Sequence, residues 1–314
     1  MPRGIVPTRS SKKHQRLVAS LLRGSSPHSY DERVSEQPKA PDSPEEAYEF
    51  FRRRRQEMVT LPQGNLALIA TAWFHGAPGV FETVWGIPGE WSARDRGQSG
   101  LVVRASASDR IFVNDELVDG DVTVLAKDSE TPAKLSFDDG KSGFVIANEE
   151  GVYALRVWDP NSQDLNDFGR IDSYDYNPEW VVQAQFIPIE GGRAVGVDHL
   201  KDEGSTRDKI IPADITFTHD GVDYTVAAFQ EGRALLLVFA DSTNGDATYS
   251  VGRFLMCAPN ADGSITLDFN RAYLPPCAFS YHFNCPMPPA QNRFPFAIEA
   301  GEKQVLNRSG ELLH

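Results

Sequence analysis

The sequence predicts a mainly β protein: an antiparallel sandwich or open barrel of about 12 to 16 short strands, with one N-terminal helix and a long Pro-rich C-terminal loop. From Leu66 onward, apolar and polar residues alternate in short runs that are rich in β-branched and aromatic side chains. Clusters of Gly, Asn, Asp and Pro separate these runs. Only one stretch, before residue 60, has the apolar spacing of a long helix, so a mostly helical fold is not expected.

The N-terminal residues 1–42 are rich in Ser, Pro, Lys and Arg, and their first acidic residue is Asp31. Such a composition buries too little apolar surface to order itself, so we predict a disordered basic tail. The alternative is a segment that docks on an anionic surface through the apolar residues of 17–22.

A docking helix is predicted over residues 43–59, because Ser43 is a favourable N-cap, Pro44 suits the first helical position and Glu46 can bond back to the cap. One apolar stripe would face the body; its residues are Ala47, Phe50, Phe51 and Met58. The four arginines of 52–55 share this helix with several acids, which favours a solvated face over a nucleic-acid site.

The β-rich domain is predicted over residues 60–302. The polar loop at 159–178 is long enough to be functional or mobile, and it marks the boundary if the domain has two halves, 60–160 and 175–302. Residues 303–314 are predicted to be a flexible C-terminus.

Several joins between predicted strands have the residues of tight hairpins. The turns are Asn114-Asp115, Asp220-Gly221 and Asn244-Gly245, where Asn, Asp or Gly tolerates the positive φ that such a turn needs. The third turn lies in the run 241–246, whose alternating oxygen side chains also resemble half of a calcium loop. That run lacks the distal bidentate Glu, so a turn is the favoured interpretation.

The segment Asp268–Glu302 is too irregular for a helix or a sheet ladder, because five prolines fall between positions 275 and 289. It also holds two of the three cysteines and a dense group of aromatic rings. We therefore predict a long, proline-stiffened loop with a specific role. Its rings either form a platform on which a ligand stacks or make the loop's own small core.

Motifs in this segment, together with residues 239–254, resemble the C-terminal signature of the bacterial and archaeal family called domain of unknown function 1684. The motifs are DFNRAY (268–273), PPCAF (275–279), Cys285-Pro286 and Asn292-Arg293. The resemblance covers about 60–302 and is strongest over 239–302, with Leu274 standing where such proteins usually have Asn. It implies no activity, so function has to be argued from the residues.

Asp268 and Asn270 alternate on one face at the end of a predicted strand. A carboxylate beside an amide can bind a hydroxylated ligand or orient a general base, so Asp268 is a candidate catalytic residue. His282 is the other candidate, as the partner of a nucleophilic cysteine. The candidate ligand-binding residues are Arg253, Asp268, Asn270, Arg271, Tyr273, Asn292 and Arg293.

Two classes of function remain open for these residues. The first is a protein or enzyme that binds a small polar, sugar-like or anionic molecule near the 268–293 loop, including a hydrolase that uses Asp268. The second is a non-catalytic scaffold in which the same residues anchor the loop, for example through an ion pair between Asp268 and an arginine. A polar open cleft beside Asp268 would favour the first class, and burial with every polar group paired would favour the second.

The residues Cys277, His282 and Cys285, with Cys257 as a distant fourth, are of types that bind zinc, although their spacing fits no standard zinc motif. A Cys–His nucleophilic pair is another alternative. The resemblance instead implies a structural pair, Cys277 and Cys285, either as thiols or as a disulfide. We therefore expect no metal and no cofactor.

The formal net charge of −13 argues against non-specific binding to nucleic acid. No run of 18 apolar residues exists, so neither a membrane span nor a signal peptide is expected. Three cysteines are too few for a disulfide framework. These observations predict a cytoplasmic protein whose partner is a small molecule; they leave its oligomeric state open.

Overall fold

The computed structural model describes residues 41–202 and 206–314. The predicted tail at 1–42 therefore lies almost wholly outside the described residues. The part that is described forms one compact unit that begins at Asp42. None of its helices is long and apolar enough to cross a membrane.

The described residues form two α-helices and 18 strands. The helices are α1 (Pro44–Val59) and α2 (Gln163–Asp167). The strands are β1 (Leu68–Phe74), β2 (Glu82–Val84), β3 (Ile87–Ala93), β4 (Leu101–Ala105), β5 (Ile111–Val113), β6 (Glu116–Leu117), β7 (Gly120–Val124), β8 (Leu135–Phe137), β9 (Ser142–Ala147), β10 (Tyr153–Trp158), β11 (Phe168–Ser173), β12 (Val181–Asp198), β13 (Thr206–His219), β14 (Val222–Glu231), β15 (Ala234–Phe239), β16 (Arg253–Cys257), β17 (Ser264–Asp268) and β18 (Glu302–Asn307). The predicted mainly β, antiparallel fold is confirmed. There are slightly more strands than predicted, because strands of two or three residues such as β6 and β2 are too short to show a periodicity.

The first half of the fold is a sandwich. A six-stranded sheet in the order β1-β10-β9-β8-β5-β6 and a four-stranded sheet in the order β2-β3-β4-β7 share one apolar core. Trp91 of β3, Leu101 of β4, Ile111 of β5 and Leu155 of β10 are fully buried in it. The alternate residues of β1 and β10 lie on the opposite face of the first sheet, outside this core.

The second half is a six-stranded sheet in the order β16-β15-β14-β13-β12-β17, and all its pairings are antiparallel. Both of its faces are buried at β15 and in the centre of β14, whereas β12 and β13 are more exposed. Leu237 and Phe239 of β15 pack into one core with Phe269 and Phe294, while Val238, between them, packs into a second core with Cys277. The Pro-rich segment that follows β17 therefore covers both faces of the sheet.

The predicted N-terminal helix is confirmed, and residues at its own start cap it. The Ser43 side chain accepts a hydrogen bond from the Glu46 backbone amide at 3.2 Å, and Pro44 is the first helical residue. The Glu46 carboxylate reaches one residue further back than predicted, to the Asp42 amide at 2.8 Å. The first contact satisfies an amide of the first helical turn, and the second ties the residue before the N-cap to that turn.

The face by which α1 docks differs from the prediction. Phe50 and Met58 are 44% and 51% exposed, whereas Tyr48 and Val59 are buried. The assignment of Arg55 to a solvated face is also wrong, because its guanidinium makes a buried ion pair with Glu302. This face of the helix turns toward the body because two acceptors lie there. The buried Glu302 carboxylate accepts from Arg55, and the Tyr174 carbonyl accepts from Tyr48.

Two of the three predicted hairpin turns form. Asn114-Asp115 and Asp220-Gly221 have positive φ and join β5 to β6 and β13 to β14. Around Asn244-Gly245 the strands β15 and β16 do pair, but the connection spans 240–252 and is not a tight turn. The reason is Asp241, whose carboxylate organises this connection by bonding Thr243 and Arg253.

The predicted unstructured regions at 159–178 and 303–314 contain regular structure. The first holds α2 and β11, and the second holds most of β18. These two strands pair with each other, although they lie far apart in the sequence. Neither strand was predicted, because each depends on a partner that sequence spacing does not reveal.

Candidate functional site

A solvent-open cleft of about 660 Å³ lies where the outer face of the first sheet meets the β12–β13 connection and the Pro-rich segment. Polar residues from both halves of the fold line it. They are Thr71, Trp73, His75, Asn148, Glu149, Glu150, Arg156, Lys201, Asp202, Thr206, Arg207, Asp208, His282 and Asn284.

The floor of the cleft is built by β1 and β10. Thr71 and Arg156 are direct partners in this antiparallel pair, so their side chains stand side by side on the same face of the sheet. Trp73 lies two residues along β1 and therefore shares that face. The opposite face, with Leu155 and Val157, belongs to the core of the sandwich.

Arg156 is half-buried, and it has no carboxylate within ion-pair distance among the residues that the structure describes. Its Nε is buried and has no hydrogen-bond acceptor, and the Thr71 Oγ1 beside it is likewise buried without a partner. Its one specific contact is with the Phe283 ring, whose centroid is 5.4 Å from Cζ. Burial lowers the pKa of the Arg156 guanidinium below its usual value.

The other buried arginines are paired. Arg55 is held by Glu302 at 2.7 Å, and Arg253 is held by Asp241 at the same distance. Buried charges in proteins are normally paired in this way, because an isolated charge is costly to desolvate. Arg156 differs from Arg55 and Arg253 in having no carboxylate partner among the described residues, whereas a buried Nε without an acceptor occurs at Arg253 as well.

The opposite wall is made of groups that already bond to one another. Asp202 accepts bonds from Arg207 Nε at 2.6 Å and from Asn284 Nδ2 at 2.8 Å, and these contacts hold its pKa below the ordinary value. The Lys201 ammonium donates a hydrogen bond to the Tyr281 carbonyl. These contacts tie the β12–β13 connection to the Pro-rich segment and occupy the Asp202 carboxylate, whereas the Lys201 ammonium keeps its charge because a carbonyl is neutral.

An ion pair crosses the rim of the cleft. Lys209 of β13 lies 2.7 Å from Glu149, which belongs to the turn between β9 and β10. The hydrogen bond from Lys209 lowers the pKa of the Glu149 carboxyl. The pair joins the two halves of the fold beside the floor residues, although its exposure makes its contribution to stability small.

Among the residues predicted for a site, only His282 lines the cleft. Its side chain is exposed at the rim. Partial burial and the nearby Lys201 ammonium lower the pKa of His282, so the ring is neutral at pH 7. Asp268, the other candidate catalytic residue, does not contribute to this cleft.

Asp268 caps a short helical turn. Its Oδ1 accepts bonds from the Asn270 backbone amide at 3.2 Å and side-chain amide at 3.0 Å, and Oδ2 lies 3.5 Å from Arg271 Nε. The predicted ion pair to an arginine is therefore present. It is not buried, since the two side chains are 29% and 51% exposed.

Arg253 is fully buried and clamps the end of the Pro-rich segment to the sheet. Its guanidinium donates to the Asp241 carboxylate and to the carbonyls of Ile298, Ala300 and Glu302. This arrangement leaves Arg253 no access to a ligand, so the structure places it in the scaffold.

Two buried asparagines use their side-chain amides to bond backbone N–H and C=O groups. Asn292 accepts from the Ala227 amide at 2.9 Å and donates to the carbonyls of Ala227 and Val238, both at 2.8 Å. Asn270 accepts from the Asn177 amide at 2.8 Å and donates to its carbonyl at 2.9 Å. Each asparagine thus satisfies backbone groups of a segment distant in sequence.

The remaining predicted ligand residues do not converge on a pocket. Tyr273 lies beneath the Arg55 guanidinium, 4.8 Å from Cζ to the ring centroid, and burial raises its pKa to about 12. Arg271 and Arg293 are exposed. The aromatic residues Phe269, Phe279 and Phe294 of the same segment are buried, so they act as a core rather than as a stacking platform.

The cysteines do not form a metal site with His282. The Cys277 backbone amide donates to Cys285 Sγ at 3.2 Å, and hydrogen bonding to Cys277 together with burial raises the pKa of the Cys285 thiol. Cys257 is separately buried and donates to the Leu235 carbonyl. No group of three or more His, Cys, Asp or Glu suited to a metal occurs in the described ranges.

The floor residues were missed at the level of sequence. One signal was present: Arg156 interrupts the otherwise apolar strand YALRVW, and Thr71 stands in the apolar run LIATAWF. A charge within an apolar strand indicates either a buried ion pair or a site. Sequence does not distinguish these two alternatives.

Comparisons with known proteins cover mainly the second half of the fold. The family model described as Protein of unknown function (DUF1684) matches residues 166–303. An uncharacterized protein of Haloarcula marismortui, solved by solution NMR, is 35% identical; the match covers 44% of this chain and 78% of that chain, with a TM-score of 0.37. No curated protein matches the chain. On the family match and this level of identity, the chain belongs to the family described as Protein of unknown function (DUF1684).

Proposed function

We propose that this protein binds a small anionic molecule in the cleft, with Arg156 as the principal ligand-binding residue. The observation that carries the proposal is that Arg156 is half-buried beside the cleft without a carboxylate partner among the described residues, and with its Nε lacking an acceptor.

An unpaired guanidinium at position 156 makes the ligand-free protein less stable than it could be. A buried donor without an acceptor costs about 1 to 3 kcal/mol, and an apolar residue at the same position would avoid that cost. The Arg253 and Arg55 sites show how this fold otherwise compensates a buried guanidinium, with a carboxylate at 2.7 Å. A bound anion would supply the same compensation to Arg156.

The donors on the floor suit a planar or tetrahedral anion. A guanidinium presents a rigid fork of N–H groups that bonds two oxygens of one carboxylate or phosphate. The Nε of Arg156 and the Thr71 oxygen are buried, so the contacts to such a ligand would come from the terminal nitrogens of the guanidinium.

For the residues of the family signature we propose the second predicted class, a structural role. Arg253, Asn270 and Asn292 are each fully buried and bonded to backbone groups of distant segments. This proposal supports the binding function rather than competing with it, because these contacts hold the segment that carries His282 and Asn284 into the cleft.

Isothermal titration calorimetry with acetate, benzoate and inorganic phosphate tests the binding function. We expect at least one of these anions to bind the wild type and the variant Arg110→Gln, whose exposed arginine lies away from the cleft and pairs with Asp138. We expect the variant Arg156→Gln to lose that binding. Equal binding by Arg156→Gln and wild type, or binding of none of the three anions, would refute the proposal.

A further inference from the structure

We infer that the ligand is a carboxylate attached directly to an aromatic ring, rather than a phosphate. This inference rests on the proposed function, since it names the chemical class of the anion that Arg156 holds. Two features of the cleft support it: the charge that remains available there, and the position of Trp73.

Three cations line the described part of the cleft, and one of them, Arg207, is paired with Asp202 at 2.6 Å. Lys201 donates to the Tyr281 carbonyl, which is neutral, so its ammonium keeps its charge. Arg156 has no carboxylate or carbonyl partner among the described residues.

Acidic side chains oppose that charge. Glu150 and Asp208 both line the cleft and are exposed at its rim. A phosphate group carries close to two negative charges at neutral pH and is usually met by several cations or backbone amides. Four carboxylates, from Glu149, Glu150, Asp202 and Asp208, line the cleft against three cations, and this excess of negative charge favours a monoanion over a dianion.

The second feature is the aromatic surface beside the anion position. Trp73 is half-buried, lines the cleft and lies two residues from Thr71 on the same face of β1, roughly 7 Å along the strand. That distance is the span from a bound carboxylate to the far edge of an attached ring. The indole can therefore stack on, or meet edge-on, a ring whose carboxylate bonds the Arg156 guanidinium.

The same position explains why Trp73 is placed in a polar cleft rather than in the core. Its neighbours along β1, Ala72 and Phe74, pack with the core of the sandwich, and Trp73 faces the other way. A large apolar ring that faces a cleft supplies binding area to an apolar part of a ligand.

The inference is tested by calorimetric titration of the full chain with benzoate, cyclohexanecarboxylate, acetate and inorganic phosphate. We expect benzoate to bind about three- to tenfold more tightly than acetate, which corresponds to one aromatic contact, and phosphate to bind more weakly than benzoate. Cyclohexanecarboxylate, which has a similar apolar area without a π face, should lie between benzoate and acetate.

Two variants locate the effect. Trp73→Leu should reduce the preference for benzoate over acetate and leave the affinity for acetate unchanged. Trp85→Leu is the matched control, because Trp85 is 97% exposed at a hairpin between β2 and β3, and it should retain the preference.

The outcomes separate this inference from the proposed function. If acetate, phosphate and benzoate bind equally and all depend on Arg156, or if phosphate binds most tightly, the ligand class is wrong and the anion site stands. If Trp73→Leu retains the full benzoate preference, the assignment of the ring to Trp73 is overturned. If no anion binds, or binding survives Arg156→Gln, the proposed function fails and this inference fails with it.

Discussion

Replacing Arg156 with Met should stabilise the ligand-free protein while abolishing anion binding. Met keeps the volume of the side-chain stem but removes the charge and the buried Nε–H that has no acceptor. Relief of that unpartnered donor gains about 1 to 3 kcal/mol, and loss of the contact with the Phe283 ring costs about 0.5 to 1 kcal/mol. The net gain is therefore between about 0 and 2.5 kcal/mol.

The assay is thermal and urea unfolding of wild type and variant without added anion. For a body of this size we expect the melting temperature to rise by up to about 10 °C, since each kcal/mol corresponds to roughly 2 to 4 °C. The midpoint in urea should rise with an unchanged m-value, which shows that stability rather than the unfolded state has changed.

The same substitution at a paired arginine provides the control. Arg55→Met removes one partner of a buried ion pair with Glu302, whose side chain is 2% exposed, so it should destabilise the protein by about 3 to 5 kcal/mol. Opposite signs for Arg156→Met and Arg55→Met are the expected result. If Arg156→Met is as destabilising as Arg55→Met, Arg156 is a structural residue and the reasoning that makes it a ligand residue is refuted.

Two further predictions concern the scaffold. Glu302→Gln should cost about 3 to 5 kcal/mol of stability, because it removes the only buried charge that faces Arg55 in the described structure. Asp268→Asn should cost less than about 1 kcal/mol, because the pair with Arg271 is partly exposed. Similar costs for the two variants in urea unfolding would contradict this ranking. Cys277 and Cys285, close enough for a backbone amide to bond the second sulfur at 3.2 Å, should be alkylated as free thiols in freshly lysed cells and should bridge when the purified protein is oxidised. A quantitative disulfide in the lysate, found by mass spectrometry, would contradict the cytoplasmic location that we propose.

Elements defined by local chemistry were predicted well. The start of α1 depends on Ser43 and Glu46, which lie three residues apart, and the turn at Asn114-Asp115 depends on residues that tolerate a positive φ. The face of α1 was predicted wrongly for the opposite reason. Arg55 is buried because Glu302 accepts its hydrogen bonds, and 247 residues separate the two in the sequence.

The candidate site was misplaced because polar residues in a loop can serve either a ligand or the fold. Asn292 is of a residue type that is common in binding sites. Its side-chain amide nevertheless bonds backbone groups of Ala227 and Val238, which lie 65 and 54 residues away. Sequence identifies such a residue as polar and constrained. Which groups satisfy it is decided by the tertiary structure alone.

The distinction that matters for function is between Arg156 and the arginines at 55 and 253. All three lie in apolar surroundings, and they differ in whether a carboxylate from a distant segment reaches them. The residues that carry the family signature lie within the matched range 166–303, whereas Thr71, Trp73 and Arg156 lie before it. The contacts that identify the family are therefore those that hold the second sheet and its Pro-rich segment together. The floor of the proposed site can change without disturbing them, so relatives that share the scaffold need not share the ligand.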